Sequence, residues 1–222
     1  MSHSSLSNPL ESYFKKNKAR RIVKWVHYFD IFHHYFSKFC GKEVVILEFG
    51  IAHGGSLQMW KHYFGRKARV IGVDINPYCK SLKEDQIEIY IGDQGNSNFL
   101  EYLTKKIGAL DIVIDDGGHF MNQQIVTFQK MFPALKKGGI FVTEDLHTSY
   151  WKDFGGGYKR RGTFIEFVKD LIDQMHAWHS RSWRLRINGI TRTLKSIHIY
   201  DSIVVFEKDD VIASHSKETG VY

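Results

Sequence analysis

Two short runs concentrate the groups most able to do chemistry: Asp115-Asp116-Gly117-Gly118-His119 and Glu144-Asp145-Leu146-His147, each closing an apolar stretch. If those stretches are neighbouring parallel strands, four carboxylates and two imidazoles converge above the sheet. Like charges that close are costly unless something positive joins them. A hard divalent cation meets that need, because Mg²⁺ takes oxygen ligands and keeps waters that an incoming hydroxyl displaces. The pattern predicts Asp116, Glu144 and Asp145 as ligands. The plainer reading has Asp115 or Asp116 capping the next helix and Glu144 solvated. Zinc held by His119 and His147 has less support, since no HxxxH or cysteine spacing accompanies them. His119, three residues beyond Asp116, is the candidate general base, since a neutral imidazole can take the proton of a metal-acidified hydroxyl. His147, Tyr150 and Trp151 open the loop HTSYWKDFGGG, whose aromatic faces suit stacking on a sugar ring and whose Gly155-Gly156-Gly157 suits closure. A surface loop with a buried aromatic anchor is the equal alternative.

A second group lies upstream, in Glu48-Phe49-Gly50-Ile51-Ala52-His53-Gly54-Gly55-Ser56. Gly50, Gly54 and Gly55 allow close backbone approach or positive φ, and Ser56 is placed to cap a following helix. The spacing is GxxxGG, not the GxGxxG of a dinucleotide turn. Glu48 would repel a pyrophosphate but suits the cationic amino-acid part of S-adenosylmethionine. Asp74 ends VIGVDI, where a carboxylate accepts hydrogen bonds from ribose hydroxyls. Asp93 ends the next strand, in IYIGDQGN, on the adenine side. With Asp115 they place an acid at four successive strand ends, which predicts a cleft for S-adenosylmethionine.

The elements that must position these groups are legible as period and composition. Five apolar runs, VVILEF, ARVIGVDI, QIEIYIGD, LDIVIDD and GGIFVTED, alternate with four helical stretches. Strands apolar throughout suit a parallel sheet covered on both faces. IHIYDSIVVFEK adds two strands turning at Asp201-Ser202, an antiparallel hairpin at one edge. The expected fold class is α/β: a doubly wound, seven-stranded, Rossmann-like sheet with a C-terminal hairpin and an N-terminal helical extension. From Lys18 to Phe39, Ile22, Trp25, Phe29, Phe32, Phe36 and Phe39 recur every three or four positions with Lys24 between them, which predicts one amphipathic helix. It is expected to pack its aromatic stripe on the core and lie over the active-site mouth. The division is 1–40 for the extension and 41–222 for the catalytic domain.

At 222 residues the chain holds one well-cored domain. Its net charge of +7 is compatible with an anionic partner, but the basic residues fall in short clusters that read as solvated surface. Cys40 and Cys79 have no CxxC spacing and read as ordinary thiols. No run reaches the ~20 apolar residues of a membrane span, and MSHSSLSNPLES lacks the pattern of a secretory leader, so a cytoplasmic protein is expected. Self-association into a homo-oligomer is compatible with the sequence.

The runs LEFGIAHGGSLQMW, IGVDINP, GDQGN, IDDGGH and TEDLHTSYW resemble the macrocin and mycinamicin O-methyltransferase family. Its members methylate hydroxyls of glycosylated natural products with S-adenosylmethionine and magnesium. The resemblance runs from Lys24 to Gly157, with the C-terminal region matched in outline. It implies a class I methyltransferase fold, metal-ligand roles for Asp116, Glu144 and Asp145, and the base role for His119. Three other readings stay open. An RNA or catechol-like acceptor would use the same fold, although no RNP-like aromatic arrangement is present. A protein that binds S-adenosylmethionine without transferring methyl would need neither His119 nor the Glu144-Asp145 pair. The name cephalosporin hydroxylase, carried by related sequences, implies iron and a triad of two histidines and one carboxylate, which His119, Asp116 and His147 could supply.

Overall fold

The computed structural model describes residues 8–221, so most of the leading segment read for a secretory leader lies outside the described residues. Five strands form a parallel array: β1 (Val45–Phe49), β2 (Arg69–Asp74), β3 (Ile87–Ile91), β4 (Leu110–Asp115) and β5 (Leu135–Thr143). β6 (Leu194–Tyr200) and β7 (Ile203–Lys208) form the hairpin, and β7 pairs antiparallel with β5. The spatial order is β3-β2-β1-β4-β5-β7-β6, the expected seven-stranded, doubly wound sheet. The strand order reverses between β1 and β4, where the crevice above the carboxyl ends receives ligands in such sheets.

Each face carries its own core. Ile46, Val70, Ile112, Ile114, Ile140 and Val205 lie on one side, and Leu47, Phe49, Ile71, Val113, Phe141 and Phe206 on the other. The alternation follows from the two-residue period of a strand, and both sets are buried because helices cover both faces. The second face is covered by α4 (Ser97–Ile107), α5 (Met121–Met131) and α6 (Phe164–Met175). The first is covered by α3 (Gly55–Phe64) and by the N-terminal segment, where Phe32 and Phe36 pack on Trp60 at ring distances of 5.2 and 5.8 Å. A short α7 (Gly189–Thr193) precedes the hairpin. No helix of the described residues is long and apolar enough to cross a membrane.

The N-terminal segment departs from the expected single helix. Its helices are α1 (Pro9–Lys16), which the sequence reading missed, and α2 (Tyr28–Phe36). Between them residues 17–27 form a non-helical strap. Arg20 ties it down, donating from Nη1 to the Leu82 carbonyl (2.9 Å) and pairing with Glu84 (3.2 Å). The strap inverts the expected polarity. The Lys24 side chain, read as facing solvent, is 2% exposed, whereas Trp25, read as part of the stripe, is 49% exposed. A continuous helix would hold Lys24 off the stripe, at its polar flank; the non-helical strap turns its ammonium inward.

Candidate active site

Above β1, β2, β3 and β4 opens a cleft of about 460 Å³. Gly50, Asp74, Asp93, Asp116, His119 and Asp145 are on its wall. Asp74 and Asp93 are aimed by backbone amides. Asp74 accepts from the amides of Ala52 (3.0 Å) and Asn76 (2.9 Å), which fixes its carboxylate beside the glycine turn. Asp93 accepts from Gly95 N (2.7 Å) and from Gln123 Nε2 (3.3 Å). At Gly50 the backbone has φ +81°, and an added Cβ would fall on the carbonyl of Asp116. The glycine turn and the acidic loop after β4 are thus in direct backbone contact. Gly54, also left-handed (φ +73°), is the N-cap of α3, with no side-chain cap.

Three expected roles need correction. Ser56 does not cap α3; its hydroxyl donates to Glu48 Oε2 (2.7 Å). Glu48 does not face the cleft: it is wholly buried, on the face of β1 that carries Ile46, and also accepts from Trp60 Nε1 (3.2 Å). Asp115 is likewise wholly buried beneath the cleft, accepting from Gln94 Nε2 (2.8 Å), while its Oδ2 has no partner. Burial, outweighing the bonds from Gln94 and Gly117, raises the Asp115 carboxyl to about 7. A carboxyl raised on folding binds a proton that the unfolded chain has released. It therefore contributes stability below the unfolded value, and that contribution is lost as pH rises toward 7. Asp115→Asn is expected to be more stable than the natural protein at pH 8, with the gap shrinking toward pH 5, in thermal unfolding of metal-free protein.

At the centre, Asp116 and Glu144 meet a cation from the protein itself. Lys24 Nζ lies 2.5 Å from Asp116 Oδ2, 2.7 Å from Glu144 Oε1 and 3.4 Å from Glu48 Oε1. Burial opposes a charged ammonium, but the three carboxylates outweigh it and hold Lys24 well above its ordinary value. One ammonium does not balance three acids. Burial, then the Asp116 charge, raises Glu144 well above the carboxylate range, and burial also raises Asp116 and Glu48. The set accordingly favours another positive charge. The ligand atoms of Asp116, His119 and Asp145 lie within 4.8 Å of one another, as do those of Glu48, Asp116 and Glu144. The oxygen-rich donors suit a hard divalent ion.

His119 and Asp145 both adopt left-handed backbone, φ +58° and +56°, a conformation that costs side-chain-bearing residues about 1–3 kcal/mol each. His119 Nε2 lies 3.6 Å from Asp145 Oδ2. Tyr28, the first residue of α2, places its hydroxyl 3.1 Å from Asp145 Oδ1 and 2.9 Å from the Ser202 carbonyl. Ser202, in the hairpin turn, also accepts from Leu146 N (2.9 Å), and its Oγ meets His147 Nδ1 at 2.5 Å. His147 is therefore turned to the hairpin, and the second imidazole does not join the acids; the two-histidine triad of an iron hydroxylase does not form. Its ring instead lies between Trp25 (5.5 Å) and Trp151 (4.6 Å). Phe154 continues the row, 5.9 Å from Trp151 and 6.5 Å from His119. Trp25, Tyr150 and Trp151 are about half exposed. The three glycines expected to loosen this loop instead tighten it: Gly156 N donates to Trp151 O and Gly157 N to Ser149 O, both at 2.8 Å.

Sequence reasoning missed Lys24, Tyr28 and Gln94. Gln94 bridges Asp115 and the amide of Gly118 (3.1 Å), so it shapes the acidic loop. The acid surplus is the signal for Lys24: it calls for a positive partner, which a lysine can supply as well as a metal.

A family model for FtsJ-like methyltransferases matches residues 19–155, more than half of the chain. The chain belongs to the FtsJ-like methyltransferase family. The match takes in most of the strap, the glycine turn and both acidic runs of this family member. It is 36% identical over 197 residues to the 8-demethyl-8-alpha-L-rhamnosyl tetracenomycin-C 2'-O-methyltransferase of Streptomyces olivaceus, covering 83% of this chain and 51% of the relative. It is 33% identical over 185 residues to the mycinamicin VI 2''-O-methyltransferase of Micromonospora griseorubida, covering 78% and 46%. The chain thus spans about half the length of the curated relatives it matches. Among solved structures, MycE methyltransferase from the mycinamycin biosynthetic pathway, in complex with Mg and SAH, superposes with a TM-score of 0.81 at 29% identity. That superposition covers 91% of this chain and 54% of MycE, and a second MycE structure also contains mycinamycin VI.

Proposed function

We propose that the chain is an S-adenosylmethionine-dependent, divalent-metal-dependent O-methyltransferase acting on a sugar hydroxyl of a glycosylated small molecule or polysaccharide. The observation that carries this reading is one cleft whose wall holds the glycine turn and Asp74 beside His119, Asp116 and Asp145. The printed activities of the relatives and the Mg and SAH of MycE support it.

Asp74 would accept from the ribose hydroxyls, with Asp93 on the adenine side. Asp116, Asp145 and, from beneath, Glu144 would hold the metal. When bound, the divalent ion acidifies a chelated hydroxyl and the sulfonium supplies the methyl group. His119 takes the hydroxyl proton at Nε2, and Asp145 beside it steadies the resulting imidazolium. The row Trp25, His147 and Trp151, together with the half-exposed Tyr150, would offer the acceptor aromatic faces. The reaction needs no membrane insertion and fits a cytoplasmic enzyme working alone or as a homo-oligomer.

Calorimetric titration with S-adenosylmethionine and with NAD, followed by methyl transfer to rhamnosides in Mg²⁺ and in chelator, tests the proposal. Binding of S-adenosylmethionine and Mg²⁺-dependent transfer are expected; tight NAD binding would overturn it. Asp74→Ala is expected to weaken S-adenosylmethionine by about 10- to 100-fold, the scale of hydrogen bonds to a charged group. The same calorimetry reads that loss.

A further inference from the structure

Two sets of groups overlap at Asp116. Asp116, His119 and Asp145 face the cleft, whereas Glu48, Asp116 and Glu144 form a deeper set. The deeper set already holds a cation, since Lys24 touches all three of its carboxylates with a side chain 2% exposed. This is not a wandering surface charge. The strap that carries Lys24 is fastened by Arg20 to the Leu82 carbonyl and Glu84, and its backbone at Arg20 and Arg21 lies directly against Gly55, where a Cβ would not fit. Beyond Lys24 the chain enters α2, whose Phe29, Phe32 and Phe36 are wholly buried. The ammonium is therefore delivered from two anchored sides.

We propose that Lys24 is a tethered counter-cation that shares Asp116 with the divalent ion and thereby sets how tightly the acid centre binds metal. The proposal rests on the metal-dependent reading above. Without metal, the ammonium keeps Glu48, Glu144 and Asp116 in place and paired, so the centre stays formed when the ion leaves. With metal, ammonium and dication repel each other across one shared carboxylate. The dication is consequently held more loosely than four carboxylates alone would hold it, and it exchanges rather than becoming a permanent structural ion.

The test is Mn²⁺ binding to the full chain, read by the loss of the free-ion electron paramagnetic resonance signal and by metal-dependent thermal stability. Lys24→Met is expected to bind Mn²⁺ at least about tenfold more tightly, since one positive charge a few ångströms away is gone. It is also expected to lose thermal stability in chelator and regain it with Mn²⁺. Lys24→Arg, which keeps the charge, is expected to stay close to the natural affinity. If Lys24→Met does not fold, the double variant Lys24→Met/Glu48→Gln removes one buried acid with the ammonium; measured against Glu48→Gln alone, it is expected to show the same tightening, and that pair of proteins then replaces the comparison with the natural protein. Unchanged or weaker Mn²⁺ binding in a folded variant lacking the Lys24 charge overturns the proposal. No Mn²⁺ binding by any of the proteins also overturns it, and leaves S-adenosylmethionine binding to be judged on its own titration.

Discussion

His119→Ala is expected to lower kcat by ~10²- to 10⁴-fold while leaving S-adenosylmethionine affinity within about threefold, the scale of losing the general base proposed for it. The expectation follows from where the imidazole stands. His119 lies on the cleft wall with Nε2 facing Asp145, and it holds a left-handed backbone that only the surrounding loop can enforce. His147, the other imidazole of the acidic runs, is bonded to Ser202 and is not placed to substitute. Single-turnover transfer to an accepted glycoside, with calorimetry on the same variant, checks both halves. A loss confined to cofactor affinity would instead assign His119 to binding.

Gly50→Ala is expected to cost about 3 kcal/mol of stability, combining left-handed strain with overpacking, and to weaken S-adenosylmethionine by more than about tenfold. The added methyl would meet the Asp116 carbonyl and the Gly117 Cα at once. Asp116 N donates to Phe49 O (3.1 Å) and Gly50 N to Val73 O (2.8 Å), so displacement there spreads to the acidic loop and to β2. Gly155→Ala is the control. Gly155 has a similar φ, +79°, with ψ 9°, and its Cβ position meets only an ordinary contact, Met121 Cγ at 3.8 Å. It should lose stability only on the scale of the backbone strain, ~1–2 kcal/mol, with cofactor binding intact. Denaturant unfolding of the two variants side by side separates strain from crowding.

The strands and the acids at their ends were legible because a strand buried on both faces leaves an unbroken apolar run with a polar residue where it stops. The facing of each acid was not. Within VVILEF every position is hydrophobic except Glu48, so no polar alternation marks its face. Only the structure shows that it shares the Ile46 side, under α3 and the strap. Asp115 and Asp116 are adjacent and so point to opposite sides, one into the interior and one toward the cleft. The N-terminal segment misled more thoroughly. Its aromatic spacing fits a helix, and helical phase assigns Lys24 to water. The energy that decides otherwise comes from Glu48, Asp116 and Glu144, which lie 24 to 120 residues away and contribute nothing to a local period.

The turn at Ser202 has a consequence for how the protein comes into being. Its carbonyl receives Tyr28 and Leu146, and its hydroxyl receives His147, so the loop bearing Asp145 is fastened by a segment synthesised well after it. A nascent chain emerges amino end first. While the hairpin is still in the ribosome, the acids and His119 are already polymerised, but the turn that fastens the Asp145 loop is missing. A chain arrested before Ser202 would carry these groups without that fastening, so the Asp145 loop gains its hold only once the hairpin has been made.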